Sequence, residues 1–242
     1  MEEQKIGGIK EGRKKKKQKN VSITVKANKK GRHVMKLLNV LRVIVIPIYA
    51  LFKPFRYYGN RKVKDGACVY VSNHYTLLDP VYVAGTTWEG VHFVSKKENS
   101  KVPILGFIMK RVKAIFANRD GNDVRPLLDC LKCLKNNEKI AIYPEGTRNK
   151  TGEEMLPFKH GAAVMAIRAK APIVPIVLYK KPRFFRCCHI LIGEPIELSE
   201  YYDKKLTQDD YNEADEKLRS IMLKMRREHT RYLENKKRKK KH

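Results

Sequence analysis

Six short runs rich in β-branched residues, separated by stretches with helical spacing, constrain this chain more than anything else in it. They lie at Ala67–Ser72, Val91–Ser95, Ala114–Asn118, Lys139–Tyr143, Ile173–Tyr179 and His189–Gly193. Between most of them fall helix candidates at Pro80–Thr87, Pro103–Arg111, Arg125–Asn136 and Lys159–Lys170. Strands buried on both faces read as apolar runs, and parallel pairing needs crossover segments of this kind. The expectation is an α/β fold: a single domain whose mostly parallel sheet is flanked by helices. No helix is evident between the last two runs, so the sheet is expected to be partly mixed there. A final helix is predicted over Gln208–Leu233. Thr207 and Asp210 have capping-box spacing, and Tyr211, Ala214, Leu218, Ile221, Met222 and Met225 form one apolar stripe.

Charge sets the boundaries of that domain. The 242 residues hold 53 lysines and arginines against 25 acidic residues, a formal charge of +28. Like-charged blocks such as Arg13 to Lys17 and Lys236 to Lys241 repel one another and rarely pack. Residues 1–33 and 236–242 are therefore read as disordered basic tails, with the folded body at 59–235. Between them, 34–58 reads as a helical segment suited to a membrane interface. Its charge-free core, Val43 to Phe52, would span only about 15 Å as a helix, half of a bilayer's hydrocarbon. Pro47 interrupts it, and Lys36, Arg42 and Lys53 stand at its flanks, so an interfacial helix fits better than a spanning one. An ordinary helix packed on the domain is the alternative. The basic body calls for an anionic partner: lipid surface, nucleic acid, or an acidic protein or cofactor.

No apolar stretch with a cleavage site stands directly behind the charged start, and the five cysteines make an odd number. A reducing, cytoplasmic setting is expected. Cys130 and Cys133 have the spacing of half a zinc site, but they lie among Leu127, Leu131 and Leu134 at helical spacing. Both thiols are expected to face a core, and no metal site is expected.

Two segments carry chemistry. Ser72 to Pro80, Ser-Asn-His-Tyr-Thr-Leu-Leu-Asp-Pro, follows a buried strand and opens a helix, where α/β sheets bind ligands. His74 is placed there as a general base. Asp79 precedes Pro80 as an expected N-cap, on a loop able to fold back and bond the imidazole. Capping and packing alone would equally explain the pair. The second segment, Tyr143 to Asn149, reads Tyr-Pro-Glu-Gly-Thr-Arg-Asn after another strand. Its glycine permits a tight turn, its arginine forks onto phosphate oxygens, and Lys159 stands at the next helix start. A polar turn with a Glu–Arg surface pair would also account for it.

Taken together, Asn-His-x4-Asp and Pro-Glu-Gly-Thr-Arg resemble the glycerolipid acyltransferase family, closest to its 1-acylglycerol-3-phosphate O-acyltransferases. The similarity runs from about Val63 to Glu197, and includes Gly106 to Arg111, Ile115 to Arg119, and Val174 to Ile176. Thr76 and Asn149 stand where the family often has serine, and Tyr143 where it has phenylalanine. The resemblance implies acyl transfer from a thioester, acyl carrier protein or coenzyme A, to the free hydroxyl of lysophosphatidate. Another lysophospholipid or lipid hydroxyl is the alternative acceptor. It implies His74 as base and Asp79 as its orienting partner. Arg119, Glu145, Gly146, Thr147, Arg148 and Lys159 are implied at the acceptor phosphate, with Glu145 expected to orient Arg148 or bind a hydroxyl. No cofactor beyond the thioester is implied. Anionic membrane lipids are the expected partners, at the cytoplasmic face of the cell membrane. Nucleic acid is not expected, for no helix-turn-helix, complete zinc pattern or aromatic RNA-binding run occurs.

Overall fold

Residues 68–72 alternate strictly between two apolar environments, and this period of two organises the molecule. Val69 and Val71 face one cluster with Ile140, Ile173 and Val177, while Cys68 and Tyr70 face another with Phe93, Val174 and Ile176. A strand buried this way on both faces is central in a sheet. The computed structural model describes residues 43–60, 66–118, 123–159 and 161–239, all within one compact unit that begins at Leu41.

The sheet has seven strands: β1 (Phe55–Gly59), β2 (Cys68–Ser72), β3 (Val91–Lys96), β4 (Ile115–Ala117), β5 (Lys139–Ile142), β6 (Ile173–Leu178) and β7 (Cys188–Ile192). Their spatial order is β1-β7-β6-β2-β5-β3-β4. Every pairing is parallel except β6 with β7, where no helix intervenes and the chain reverses. The helices are α1 (43–52), α2 (Asp79–Ala84), α3 (Pro103–Arg111), α4 (Arg125–Lys135), α5 (Ala162–Ala169) and α6 (Gln208–Arg238). Buried residues of α4, α5 and α6, among them Cys130, Ala163 and Leu218, pack in the cluster that contains Val69. Tyr82 and Val83 of α2, with Tyr49, Phe55 and Tyr57, pack in the other.

The capping box at the start of α6 forms as the spacing requires, with aspartate in the acidic position. The Thr207 amide donates to Asp210 Oδ2 at 2.6 Å, and the Asp210 amide donates to Thr207 Oγ1 at 3.3 Å. Helix α6 then seats α5 through Asp215, buried on its inner face, which accepts the Ala163 amide at 3.2 Å.

Two sequence expectations need correction. The helical segment drawn to residue 58 ends at 52, and residues 55–59 form edge strand β1, paired with β7. This strand therefore belongs to the sheet and not to an appendage before it. The C-terminal tail drawn from 236 is shorter, because α6 continues to Arg238. The thiols of the Cys130/Cys133 pair both meet the core as expected, to different depths. Cys130 lies in the core, whereas Cys133 is half-buried at the end of α4. The tail at 1–33 and the first part of the 34–58 segment lie outside the described residues.

Helix α1 packs on the domain and also turns an apolar side outward. Tyr49 packs on Tyr82, ring centroids 5.3 Å apart, and its hydroxyl donates to the Tyr82 hydroxyl at 3.1 Å. The opposite side presents Val43, Ile44, Ile48, Leu51 and Phe52 to solvent. Phe184 and Phe185 extend that apolar surface: the Phe185 amide donates to the Phe52 carbonyl at 2.7 Å, and Lys53 sits over the Phe184 ring.

Candidate active site

The order β6-β2-β5 explains the site, because it sets the loop after β2 beside the loop after β5, although two strands, three helical connections and about 70 residues separate them in the chain. Asn73 ends β2 by imitating backbone. Its side chain donates to the Leu178 carbonyl at 3.0 Å and accepts the Leu178 amide at 2.8 Å, fixing the loop to the end of β6. His74 follows on that fixed base.

Asp79 holds the imidazole. Its Oδ2 lies 2.9 Å from His74 Nδ1 and also accepts the amides of Tyr75 at 2.6 Å and Thr76 at 2.7 Å. Its Oδ1 accepts the Thr76 hydroxyl at 2.5 Å. The expected capping role is thus corrected: α2 begins at Asp79 itself, and the carboxylate folds back over the loop before it. With a carboxylate as acceptor, Nδ1 carries the proton and Nε2 carries the lone pair. The side chain of Asp79 is fully buried, while that of His74 is 18% exposed. The imidazole is open to solvent where its partner is not. Tyr143 stacks on the imidazole, centroids 4.2 Å apart, and adds a second restraint on the ring plane.

Glu145 departs furthest from the role its motif implies. It was expected to face a phosphate, orient Arg148 or bind a hydroxyl. Instead it is 1% exposed. Its Oε1 accepts the His74 amide at 2.9 Å, and its Oε2 accepts the Leu156 amide at 3.2 Å. Burial pushes its carboxyl up to about 7, against the opposing pull of those two amides. The residue is a clasp between the two motif loops and the strand of chain at 155–156. That strand is held in turn by Arg219 of α6, which donates to the carbonyls of Met155 and Leu156 at 3.0 and 3.2 Å.

The other side of the turn is fastened as well. The Asn149 amide donates to the His74 carbonyl at 2.6 Å, and the Asn149 side chain donates to the Glu153 carbonyl at 2.9 Å. Thr147 and Arg148, both exposed, therefore project from a short turn pinned at each end to His74. Arg148 has no ion-pair partner among the described residues. Gly146 sits at φ +61°, where a Cβ would lie 3.0 Å from Cδ of Lys159. Glycine thus allows both the turn and the approach of the exposed lysine. The Lys159 amide donates to the Pro144 carbonyl at 2.7 Å. Arg119 lies outside the described residues.

His74, Asp79, Gly146, Thr147, Arg148 and Lys159 are accordingly brought to one end of the sheet, with Glu145 beneath them. The sequence assigned no role to Asn73, Tyr143, Asn149 or Thr76. Their signal was present, since Asn73 and Tyr143 directly follow strand ends, Thr76 lies between His74 and Asp79, and Asn149 follows Arg148.

The family model described as Acyltransferase matches residues 54–179, just over half of the chain and all of the cluster up to Lys159. The chain is 30% identical over 191 residues to a 1-acyl-sn-glycerol-3-phosphate acyltransferase of Helicobacter pylori, covering 66% of this chain and 79% of that one. This chain belongs to the acyltransferase family. A protein of the same name from Saccharomyces cerevisiae is 32% identical over 205 residues, 79% of this acyltransferase and 62% of the yeast protein. The crystal structure of the 1-acyl-sn-glycerophosphate acyltransferase PlsC from Thermotoga maritima shares the fold. Its TM-score is 0.64 with 21% identity, over 84% of this chain and 83% of that one.

Four cysteines of the acyltransferase offer no nucleophile to this chemistry. Burial pushes the thiol of Cys68 up to about 11 and those of Cys130, Cys133 and Cys188 up to about 12.

Proposed function

We propose that the enzyme transfers a fatty acyl group from a thioester to the free hydroxyl of 1-acyl-glycerol-3-phosphate, forming phosphatidic acid. The observation that carries this reading is the 2.9 Å contact of His74 Nδ1 with buried Asp79, which leaves Nε2 free at a site whose neighbouring turn bears an arginine with no ion-pair partner among the described residues. Nε2 removes the hydroxyl proton as the oxygen attacks the thioester carbonyl. The tetrahedral intermediate then expels the sulfur, which takes the proton back from the imidazolium. Asp79 stabilises the charge that His74 acquires in between. Arg148 and Lys159, with the Gly146–Thr147 turn and Arg119, bind the acceptor phosphate and set the distance of its hydroxyl from the base. Direct transfer suits a site whose motif loops hold no nucleophilic thiol. The names of the relatives in bacteria and yeast support the choice of acceptor.

The substrates reach this site from a lipid surface. Among the described residues no helix is long and apolar enough to cross a membrane. The apolar side of α1 with Phe184 and Phe185, next to Lys53, and the exposed Ile104, Phe107 and Ile108 of α3, next to Lys110 and Arg111, suit an interfacial attachment. The positive charge favours an anionic leaflet, as at the cytoplasmic face of a cell membrane.

The test is a vesicle assay with labelled lysophosphatidate, supplying acyl carrier protein and coenzyme A thioesters in separate reactions. Labelled phosphatidic acid from at least one donor, abolished in His74→Ala, is the expected result. Transfer to other lysolipids but not to lysophosphatidate would overturn the acceptor. Full transfer by His74→Ala would overturn the base.

A further inference from the structure

At the opposite end of the sheet from His74, three side chains of different chemistry converge. His92 is the second residue of β3, Cys133 lies in the last turn of α4, and Glu138 immediately precedes β5. One ligand atom from each, imidazole nitrogen, thiol sulfur and carboxylate oxygen, lies within 4.8 Å of both others. The local backbone explains the convergence. Helix α4 ends in a tight turn in which the Glu138 amide donates to the Cys133 carbonyl at 3.0 Å, and Asn137 adopts φ +63°. That turn brings the Glu138 side chain back beside the Cys133 thiol. The neighbouring strand β3 supplies His92 across the pairing with β5.

We propose that His92, Cys133 and Glu138 form a binding site for a thiophilic divalent cation of the zinc class. The site is open, with water completing the coordination. Two observations beyond the clustering support it. First, His92 Nδ1 donates to the Lys113 carbonyl at 3.0 Å, so Nε2 is the nitrogen turned to the cluster; it meets Glu138 in the metal-free protein and offers its lone pair to an ion once that proton is lost. The Nδ1 contact is the outer hydrogen bond that metal-ligating histidines make. Second, His92 Nε2 stands 3.3 Å from Glu138 Oε2. Ligand bonds of about 2.0–2.2 Å at a tetrahedral centre separate nitrogen and oxygen by about 3.3 Å. The sulfur has further to come, since a tetrahedral ion would hold it about 3.6 Å from the nitrogen. All three residues are partly exposed, so an ion has a path of entry and the thiol has room to turn. Cys130, the other half of the Cys-x2-Cys pair, is buried in the core and takes no part. The four residues of β5 separate this site from Tyr143 by about 13 Å of strand, so it is distinct from the transferase centre.

The test uses the full chain, freed of metal by chelation and titrated with cobalt(II). The expected result is one equivalent bound, with a thiolate-to-cobalt charge-transfer band and the visible bands of a four-coordinate ion, both displaced by zinc. Cys133→Ser should abolish the charge-transfer band, while Cys130→Ser and Cys187→Ser retain it. His92→Gln and Glu138→Gln should weaken zinc by more than about 100-fold, because losing even an outer-shell partner costs about 10- to 100-fold. These two variants decide the matter if Cys133→Ser fails to fold. Absence of the band in the unaltered chain, its survival in Cys133→Ser, or unchanged zinc affinity in both His92→Gln and Glu138→Gln would overturn the proposal.

Discussion

Among the described residues, the two histidines that face carboxylates are built to opposite ends. His74 uses Nδ1 to meet a carboxylate that is wholly buried and bonded by two amides and a hydroxyl, so its Nε2 is left over. His92 uses Nδ1 to meet a backbone carbonyl, and its Nε2 is spent on Glu138, whose side chain is 38% exposed. The difference lies in what each ring nitrogen is given. A carboxylate on Nδ1 makes Nε2 a better base, whereas a carboxylate on Nε2 occupies the nitrogen through which the ring would act. The first arrangement suits proton transfer and the second suits a ligand-holding cluster.

The comparison is broken most sharply by truncating each ring. His74→Ala should lower kcat by about 10²- to 10⁴-fold, the usual worth of a positioned general base. His92→Ala should leave acyl transfer within a factor of about two and cost at most about 1 kcal/mol in a urea titration, as for half-exposed pairs. A large kinetic loss in His92→Ala would remove the distinction.

Next in size is the clasp. Glu145→Ala leaves the His74 and Leu156 amides buried and unpaired, so it should destabilise by about 1–3 kcal/mol. It should also reduce kcat although the carboxylate touches no substrate. Arg148→Ala should act differently, raising the KM for lysophosphatidate by about 10- to 100-fold, the worth of a charged hydrogen bond, with kcat little changed. An unchanged KM would take Arg148 out of the phosphate site.

The smallest effect is a pH signature. Burial raises the Glu145 carboxyl from its ordinary range to about 7, so between about pH 4.5 and 7 the folded chain keeps a proton that the unfolded chain has released. This group's contribution to stability therefore falls as pH rises through that window. Denaturation midpoints of the parent and Glu145→Gln should differ in slope there, and parallel curves would show that the carboxylate ionises freely.

Much of this was legible in the residues. Strands β2 to β7, the reversal between β6 and β7, the cap of α6 and the His74–Asp79 contact all follow from short-range pattern. Strand β1 was hidden because Phe55–Gly59 continues the apolar stretch of α1 with only Lys53 and Pro54 between them, so a change of period over five residues went unseen. Glu145 was misread for a different reason. A glutamate three residues before an arginine looks like an ion pair in one dimension, and only the adjacency of β2 and β5 shows that a distant backbone amide claims it first. Neighbouring strands far apart in sequence are what local pattern cannot supply.

Strand β1 pairs in parallel with β7 from Phe55 opposite Cys188 to Gly59 opposite Ile192. During synthesis the earlier of these partners must wait for most of the polypeptide to leave the ribosome before its own docking place exists. Closing so long a loop is slow, and an unsatisfied aromatic strand next to a greasy helix is adhesive meanwhile. A nascent chain of this kind gains from shelter at that end while the remainder assembles, and the interfacial attachment proposed above would supply it.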